Sequence, residues 1–201
     1  MFKFKCKICR RLGQTVCGRK SCAALKRPYP PGNKVLKRRK SLSDYGKKLI
    51  EKQKLKYWYN LKEAHLKKYV KNSLTKPTKG KKIEETLLEQ LEGRLDSVVL
   101  SLGFATTIRH ARQLVSHKHF TIKGRSVNIP SYKVKIGEEI VIKEKKRDGF
   151  KDALFLSKKF QSLPWVVVNK EKYSGKLIRF PTLEEKALPI NFALILEYYS
   201  K

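Results

Sequence analysis

Of the first 82 residues, 27 are lysine or arginine and three are aspartate or glutamate. A segment so one-sidedly charged repels itself, so it folds only where a counter-charge or an internal brace offsets the repulsion. The bias is steepest at the start, where residues 1–40 carry 14 basic and no acidic side chains. From Ile83 onward the balance relaxes to 21 against 14. The whole chain of 201 residues has a formal net charge of +31, which an enzyme acting on a small soluble substrate does not need. Nucleic-acid phosphate is the natural counter-charge, through release of condensed counterions. Hydrophobic residues make up 40% of the chain, enough to build a core beside the cationic surface. The uncharged stretch 97–108 is shorter than the roughly 18–20 apolar residues that span a bilayer, and no apolar signal segment follows Met1. No membrane partner and no secretion are therefore expected.

All four cysteines fall in one window: Cys6, Cys9, Cys17 and Cys22, spaced C-x2-C-x7-C-x4-C. Two such pairs can close a tetrahedral site, so the expectation is one structural Zn2+ per chain with no open ligand position. Lys5, Lys7, Arg10, Arg19 and Lys20 surround the thiols and would favour their ionised form. Two disulfides are the alternative, and they suit a chain without a secretion signal poorly.

Ser43 and Asp44 begin a helical pattern through Tyr45, Leu49, Lys52 and Lys56 to about Tyr59. Asn60, with Glu63 three residues on, suggests a cap for a second helix bearing Leu61, Leu66, Tyr69 and Val70. Tyr57, Trp58 and Tyr59 read as packing residues rather than a stacking platform. Lys52, Lys54, Lys56, Lys62, Lys67 and Lys68 would line the remaining faces and follow a phosphate backbone. Residues 72–82 read as a linker. Leu87, Leu88, Leu91, Leu95, Val98, Val99 and Leu102 then recur at helical spacing up to Gly103. Thr106 or Thr107 starts a further helix, whose outer side shows Arg109, Arg112 and Gln113. Strands are expected at 120–123, 126–129 and 139–143, with a hinge at Gly124-Arg125. Two helices and a small antiparallel sheet would bring Arg94, Arg109, Arg112, Lys118, Lys123 and Arg125 to one edge. Beyond Phe150 a short helix to Gln161, strands at 165–168 and 177–180, and a strand-type run from Ile190 to Tyr199 complete the reading. No nucleotide loop or nucleophile–base pair emerges, and His65, His110, His117 and His119 fit RNA contacts or surface positions better than catalysis.

The run RLDSVVLSLGFATTIRHARQLVSHKHFTIKGRSVNIPSY, Arg94 to Tyr132, resembles the RNA-binding module named after ribosomal protein S4. The resemblance to that ribosomal family continues in SDYGKKLIEKQKLKYWY (43–59), WVVVN (165–169), GKLIRFP (175–181) and LILEYYSK (194–201). Some positions depart from the family pattern: Thr106 and Arg109 replace common prolines, Lys118 a glycine and Ser101 an arginine. Shifted phosphate contacts are the expected consequence.

The resemblance implies an α+β fold. A helical N-terminal domain with a zinc knuckle would be joined by the C-terminal segment, with the small RNA-binding module inserted between them. The implied boundaries are 1–41 for the knuckle extension, 42–85 for the helical domain and linker, 86–149 for the module, and 150–201 packing back on the helices. RNA contacts would come from Arg94, Arg109, Arg112, Gln113, His117 and Lys118, and from Lys123, Arg125 and Lys133. Arg10, Arg11, Lys37, Arg38 and Arg39 would add to them from the extension, and Lys52, Lys54 and Lys56 from the first long helix. By the same resemblance the chain is a non-enzymatic constituent of the small ribosomal subunit. It would bind ribosomal RNA and neighbouring ribosomal proteins, act early in assembly, influence decoding accuracy and line the messenger entry channel. The alternative is an RNA-modifying enzyme or a ribosome quality-control factor carrying the same module. Lys outnumbers Arg 36 to 12, a bias that phosphate binding alone does not explain and an AT-rich coding genome does. The expected compartment is a plastid ribosome, with the bacterial cytoplasm as the alternative.

Overall fold

The computed structural model describes residues 6–19, 21–32, 41–78, 80–150 and 162–200. Lys37, Arg38 and Arg39, and the helix expected at 151–161, lie outside those residues. The chain divides into two units: Met1–Glu84 together with Leu188–Lys201, and Glu85–Ala187. The class is α+β, with mixed helices and an antiparallel sheet. Among the described residues no helix is long and apolar enough to cross a membrane.

In the first unit, α1 (Lys7–Leu12) and α2 (Ala23–Lys26) are short turns of helix around the cysteines. Gly13 supplies the left-handed stop for α1 at φ +70°, a conformation open to glycine at little cost. Helix α3 (Asp44–Trp58) starts where Ser43 Oγ accepts from the Gly46 amide at 3.2 Å, as the sequence suggested. The next helix starts differently from expectation. Asn60 adopts a left-handed φ of +50° and turns the chain, and α4 (Glu63–Thr75) follows Lys62, whose side chain makes no cap. Asparagine tolerates that conformation, and the turn buries Leu61. The run from Ile190 is a helix and not a strand: α9 (Phe192–Tyr199) is capped by Asn191 Oδ1, which accepts from the Leu194 amide at 3.3 Å. Its apolar residues run together with no visible period, but Phe192 and Ile195 are the ones buried, at helical spacing. Helix α9 packs on α3 and α4.

The second unit opens with α5 (Ile83–Glu92) and α6 (Leu95–Ser101), where the apolar spacing suggested one unbroken helix. The break falls at Gly93-Arg94. Arg94 is extended, the Gly93 carbonyl accepts from Val134 N–H at 2.8 Å, and a Cβ on Gly93 would come within 3.2 Å of the Phe180 ring. Tertiary contacts thus override the local period. Helix α7 (Ile108–Ser116) is capped by Thr107, whose Oγ1 accepts from His110 N–H at 3.2 Å. The sheet runs β2-β1-β3-β5-β4 and is antiparallel throughout, with β1 Phe120–Ile122, β2 Arg125–Val127, β3 Glu139–Ile142, β4 Val166–Asn169 and β5 Ser174–Leu177. The β1–β2 turn is Lys123-Gly124, at φ +51° and +77°, a two-residue turn of the kind whose twist matches the strands. Arg125 therefore belongs to β2 and not to the hinge.

The segment after residue 150 does not return as one piece. Strands β4 and β5 extend the module's sheet through β3, and only 188–201 joins the first unit. Val166 and Leu177 are buried with Leu102, Phe104 and Phe120 in the same core, so these strands have an apolar face already committed. Gly175 makes that packing possible, because a Cβ there would collide with the Leu102 side chain. A short 3-10 turn (Glu144–Phe150) and α8 (Leu183–Lys186), which begins with a full capping box on Thr182 and Glu185, complete the unit.

Candidate nucleic-acid interface

Whether a basic residue can meet RNA depends first on whether the fold has already used its charge. In the first unit α3 has used all five of its lysines, Lys47 on Asp44, Lys48 on Glu197 and three more on Glu51 and Glu63. Lys52 is buried and its Nζ donates to Glu63 Oε1 at 2.8 Å, while Lys56 Nζ reaches Glu63 Oε2 at 3.0 Å. Lys54 Nζ donates to Glu51 Oε1 at 2.7 Å, and the other Glu51 oxygen accepts from the Asn191 amide at the start of α9. Tyr199 Oη also donates to Glu63, at 2.7 Å, so one carboxylate ties α3, α4 and α9 together. Burial alone would raise the Glu63 carboxyl. The bonds from Lys52, Tyr199 and Lys56 outweigh it and hold the group at about 2. The lysines expected to follow a phosphate backbone on this helix are its internal braces.

Exposed lysines without an acidic partner among the described residues lie one helix later. Lys67, Lys68 and Lys71 project from α4 and make no ion pair among the described residues. Their signal in the sequence is the lack of any acidic residue from Ala64 to Lys82. Arg10 is also committed. Its Nε and Nη2 donate to the Tyr29 and Pro30 carbonyls at 3.0 and 3.2 Å, and its guanidinium lies 4.7 Å from the Tyr29 ring centre. Arg11, its neighbour, is exposed.

In the same segment three of the four thiols converge. The Sγ atoms of Cys6, Cys17 and Cys22 lie within 4.8 Å of one another, close to the roughly 3.8 Å that zinc–sulfur bonds of about 2.3 Å imply. Cys9 is fully buried beside Cys17 and Cys22, and none of the four forms a disulfide. Backbone N–H groups of Ala23, Val16 and Ala24 point at Cys6, Cys9 and Cys22 in turn. Burial pushes the Cys9 thiol up to about 12 and the Cys22 thiol up as well, whereas the Ala23 amide draws Cys6 down. Such a group can hold a metal ion, which would offset the burial of the sulfur charges. Tyr57 and Trp58 of α3 pack against this cluster, so their expected structural role is met.

In the second unit Arg94 is likewise spent. It is buried, and its Nε and Nη2 grip the two oxygens of fully buried Asp96 at 2.9 and 2.6 Å. It does not reach the exposed edge where the sequence placed it. Burial pushes the Asp96 carboxyl up, and Arg94 and half-buried Arg112 work against that by favouring the carboxylate. Arg109 is half-buried, with its Nε atom enclosed and without a hydrogen-bond acceptor among the described residues. Gln113, His117, Lys118, Arg125 and Lys133 are exposed. Lys123 is exposed too, and its Nζ meets buried Glu138 at 3.0 Å. His119 is half-buried against the Phe150 ring, and burial lowers its pKa, with Lys146, His117 and His110 adding to the effect.

The organising feature is an absence in the sequence: no acidic residue occurs between Asp96 and Glu138. Both of those carboxylates are themselves buried. The outer side of α7, the turn after it and the β1–β2 hairpin therefore carry no acidic residue of their own.

That geometry can be set beside known proteins. Residues 2–92 match the family model described as the ribosomal protein S4/S9 N-terminal domain, and residues 93–140 match the S4 domain. The chain is 43% identical over 205 residues to the small ribosomal subunit protein uS4 of Thermodesulfovibrio yellowstonii, covering 98% of this chain and 96% of that one. It is 44% identical over 209 residues to the protein of the same name from Aquifex aeolicus, at 97% and 95% coverage. The chain belongs to the ribosomal protein S4 family. The Thermus thermophilus uS4 protein is similar at 40% identity over 205 residues, with 98% and 96% covered. The three source organisms are bacteria, so these relatives lend the plastid expectation no support. The resemblance read from Arg94 to Tyr132 and the four further runs holds across nearly the entire chain.

Proposed function

We propose that this S4-family chain is a structural, non-catalytic component of the small ribosomal subunit that binds ribosomal RNA directly. The observation that carries the reading is the stretch 97–137, which holds no carboxylate and is displayed on α7 and the β1–β2 hairpin. Double-stranded RNA offers mainly phosphates, 2′-hydroxyls and shape, and such a surface suits those features without reading much sequence. In the second unit the contact set is Arg109, Arg112, Gln113, His117, Lys118, Arg125 and Lys133, with Lys123 committed to Glu138. In the first it is Arg11 with Lys67, Lys68 and Lys71, in place of the braced α3 lysines. Phosphate contacts of this kind fix orientation and contribute most of the affinity. The relatives' shared name supports placement in the small subunit, where the chain would also touch neighbouring ribosomal proteins and the messenger entry region. A bacterial-type ribosome is the proposed location, and the plastid version of that reading rests on the lysine bias alone.

We further propose one structural zinc ion held by Cys6, Cys9, Cys17 and Cys22. It would organise a segment whose own buried apolar contacts are few.

The α4 assignment is open to direct test. Changing Lys67, Lys68 and Lys71 together to glutamine should weaken binding to small-subunit RNA at least tenfold near 100 mM salt. It should also flatten the log–log salt slope by about 2, since each lost phosphate contact removes about 0.7–0.9. The paired change Lys54→Gln/Glu51→Gln should leave the slope unaltered. A triple variant that binds with wild-type affinity and slope would contradict the assignment.

A further inference from the structure

Tyr45 is among the more exposed large side chains of the first unit, at 63%, and it is nevertheless held in place. Its ring centre lies 5.7 Å from that of Tyr198 on α9, tilted by 35°, and the two hydroxyls are 3.4 Å apart, within hydrogen-bond range. Tyr198 is fixed in turn. Lys52 Nζ sits 4.6 Å from its ring centre and Tyr199 packs edge-on at 5.2 Å. Tyr199 is anchored through Glu63. The chain of contacts ends on the same carboxylate that braces the three helices, so the Tyr45 ring is oriented by the core although it faces solvent.

No net negative charge beside the ring stands against a polyanion. The two acidic residues beside the pair are each neutralised, Asp44 by Lys47 at 3.1 Å and Glu197 by Lys48 at 2.6 Å. The other aromatic residues of this stretch have inward duties: Tyr59 is buried, and Tyr57 and Trp58 cover the cysteine cluster. An exposed aromatic ring that the fold holds still, on a unit rich in lysine, meets both requirements for stacking a base that has left its helix. Little rotamer freedom remains to be lost on contact.

We infer that Tyr45, backed by Tyr198, is a stacking platform for one unpaired nucleobase of the bound RNA. The inference rests on the RNA-binding reading above and adds a non-electrostatic contact to it. Stacking on an aromatic ring tolerates any base, so the site contributes affinity and placement and carries no sequence code.

The test uses the full zinc-loaded chain and small-subunit RNA, with wild type, Tyr45→Phe and Tyr45→Leu compared across a salt series. Tyr45→Leu should bind about tenfold more weakly, within the range measured for loss of a stacked base, with an unchanged salt slope. Tyr45→Phe should bind within about twofold of wild type. RNAs substituted in turn with 5-iodouridine, 5-iodocytidine, 8-azidoadenosine and 8-azidoguanosine should photocrosslink at Tyr45 of the wild-type chain with at least one of the four, which keeps the proposal testable even if the leucine variant folds poorly. Unaltered binding by Tyr45→Leu overturns the inference. So does an equal loss in Tyr45→Phe, which would point to the hydroxyl, and so does the absence of any crosslink at Tyr45. A wild-type chain that fails to bind the RNA overturns the parent reading as well, so the two failures are distinguishable.

Discussion

Replacing Asp96 with alanine should destabilise the second unit by about 3–5 kcal/mol, because it leaves the buried Arg94 guanidinium without its carboxylate. The pair holds the start of α6 where three backbone bonds meet: Leu95 N–H to Tyr132 O at 2.9 Å, Asp96 N–H to Pro130 O at 3.2 Å and Val134 N–H to Gly93 O at 2.8 Å. Losing the carboxylate therefore also loosens the loop that leads into β3. The chain is well suited to the measurement. Of its two tryptophans, Trp165 is buried in the second unit and Trp58 packs on the cysteine cluster in the first. Denaturant unfolding followed at each should show a large shift for Trp165 and almost none for Trp58. A double change, Arg94→Met/Asp96→Leu, should recover much of the loss, since an apolar pair of similar volume often matches a buried ion pair. An Asp96→Ala chain whose Trp165 transition moves by under 1 kcal/mol would show that water or a neighbour screens Arg94.

The second large effect concerns the metal. Chelation of zinc from the full chain at neutral pH should unfold the segment around the cysteines. The binding free energy of a structural zinc, of order 10–16 kcal/mol in comparable small sites, is also local folding free energy. Trp58 should then lose its packing partner and its emission should shift to the red, while Trp165 stays unchanged. Cys9→Ser should reproduce the effect, because Cys9, like Cys22, is fully buried and lies beside Cys17 and Cys22. Metal analysis of the purified chain should give one zinc. A chain with no bound metal, and with Trp58 emission indifferent to chelator, would refute the zinc reading.

Much of this architecture is legible in the residues, and the exceptions share one cause. Ser43, Thr107 and Gly103 mark helix ends by local chemistry, and the structure places helix ends there. The α5–α6 break is not marked in that way. Its apolar spacing is continuous, and only the distant Val134 and Phe180 show why the helix stops at Gly93. The strand expected at 190–199 becomes α9 because burial against α3 and α4 selects a helix from a run without period. The basic residues divide in the same manner. A lysine reads alike in sequence whether it faces solvent or a carboxylate, so Lys52, Lys54 and Lys56 resemble Lys67, Lys68 and Lys71 until the positions of Glu51 and Glu63 are known. Arg94 shows the effect at its strongest, since its partner is only two residues away and both are buried. A sharper guide was present in the sequence as missing acids, from Ala64 to Lys82 and from Ser97 to Gly137. Stretches without carboxylates cannot neutralise their own lysines and arginines.

The most direct measurement is a titration of the purified full chain with folded small-subunit RNA between 50 and 200 mM salt, with a helical RNA of equal length as competitor. The account predicts preferential binding to the ribosomal RNA, an affinity that falls by a factor of about a thousand or more across that range, and a straight log–log plot with a slope set by several neutralised phosphates. Binding that is indifferent to salt, or no stronger for the small-subunit RNA than for its competitor, would contradict it.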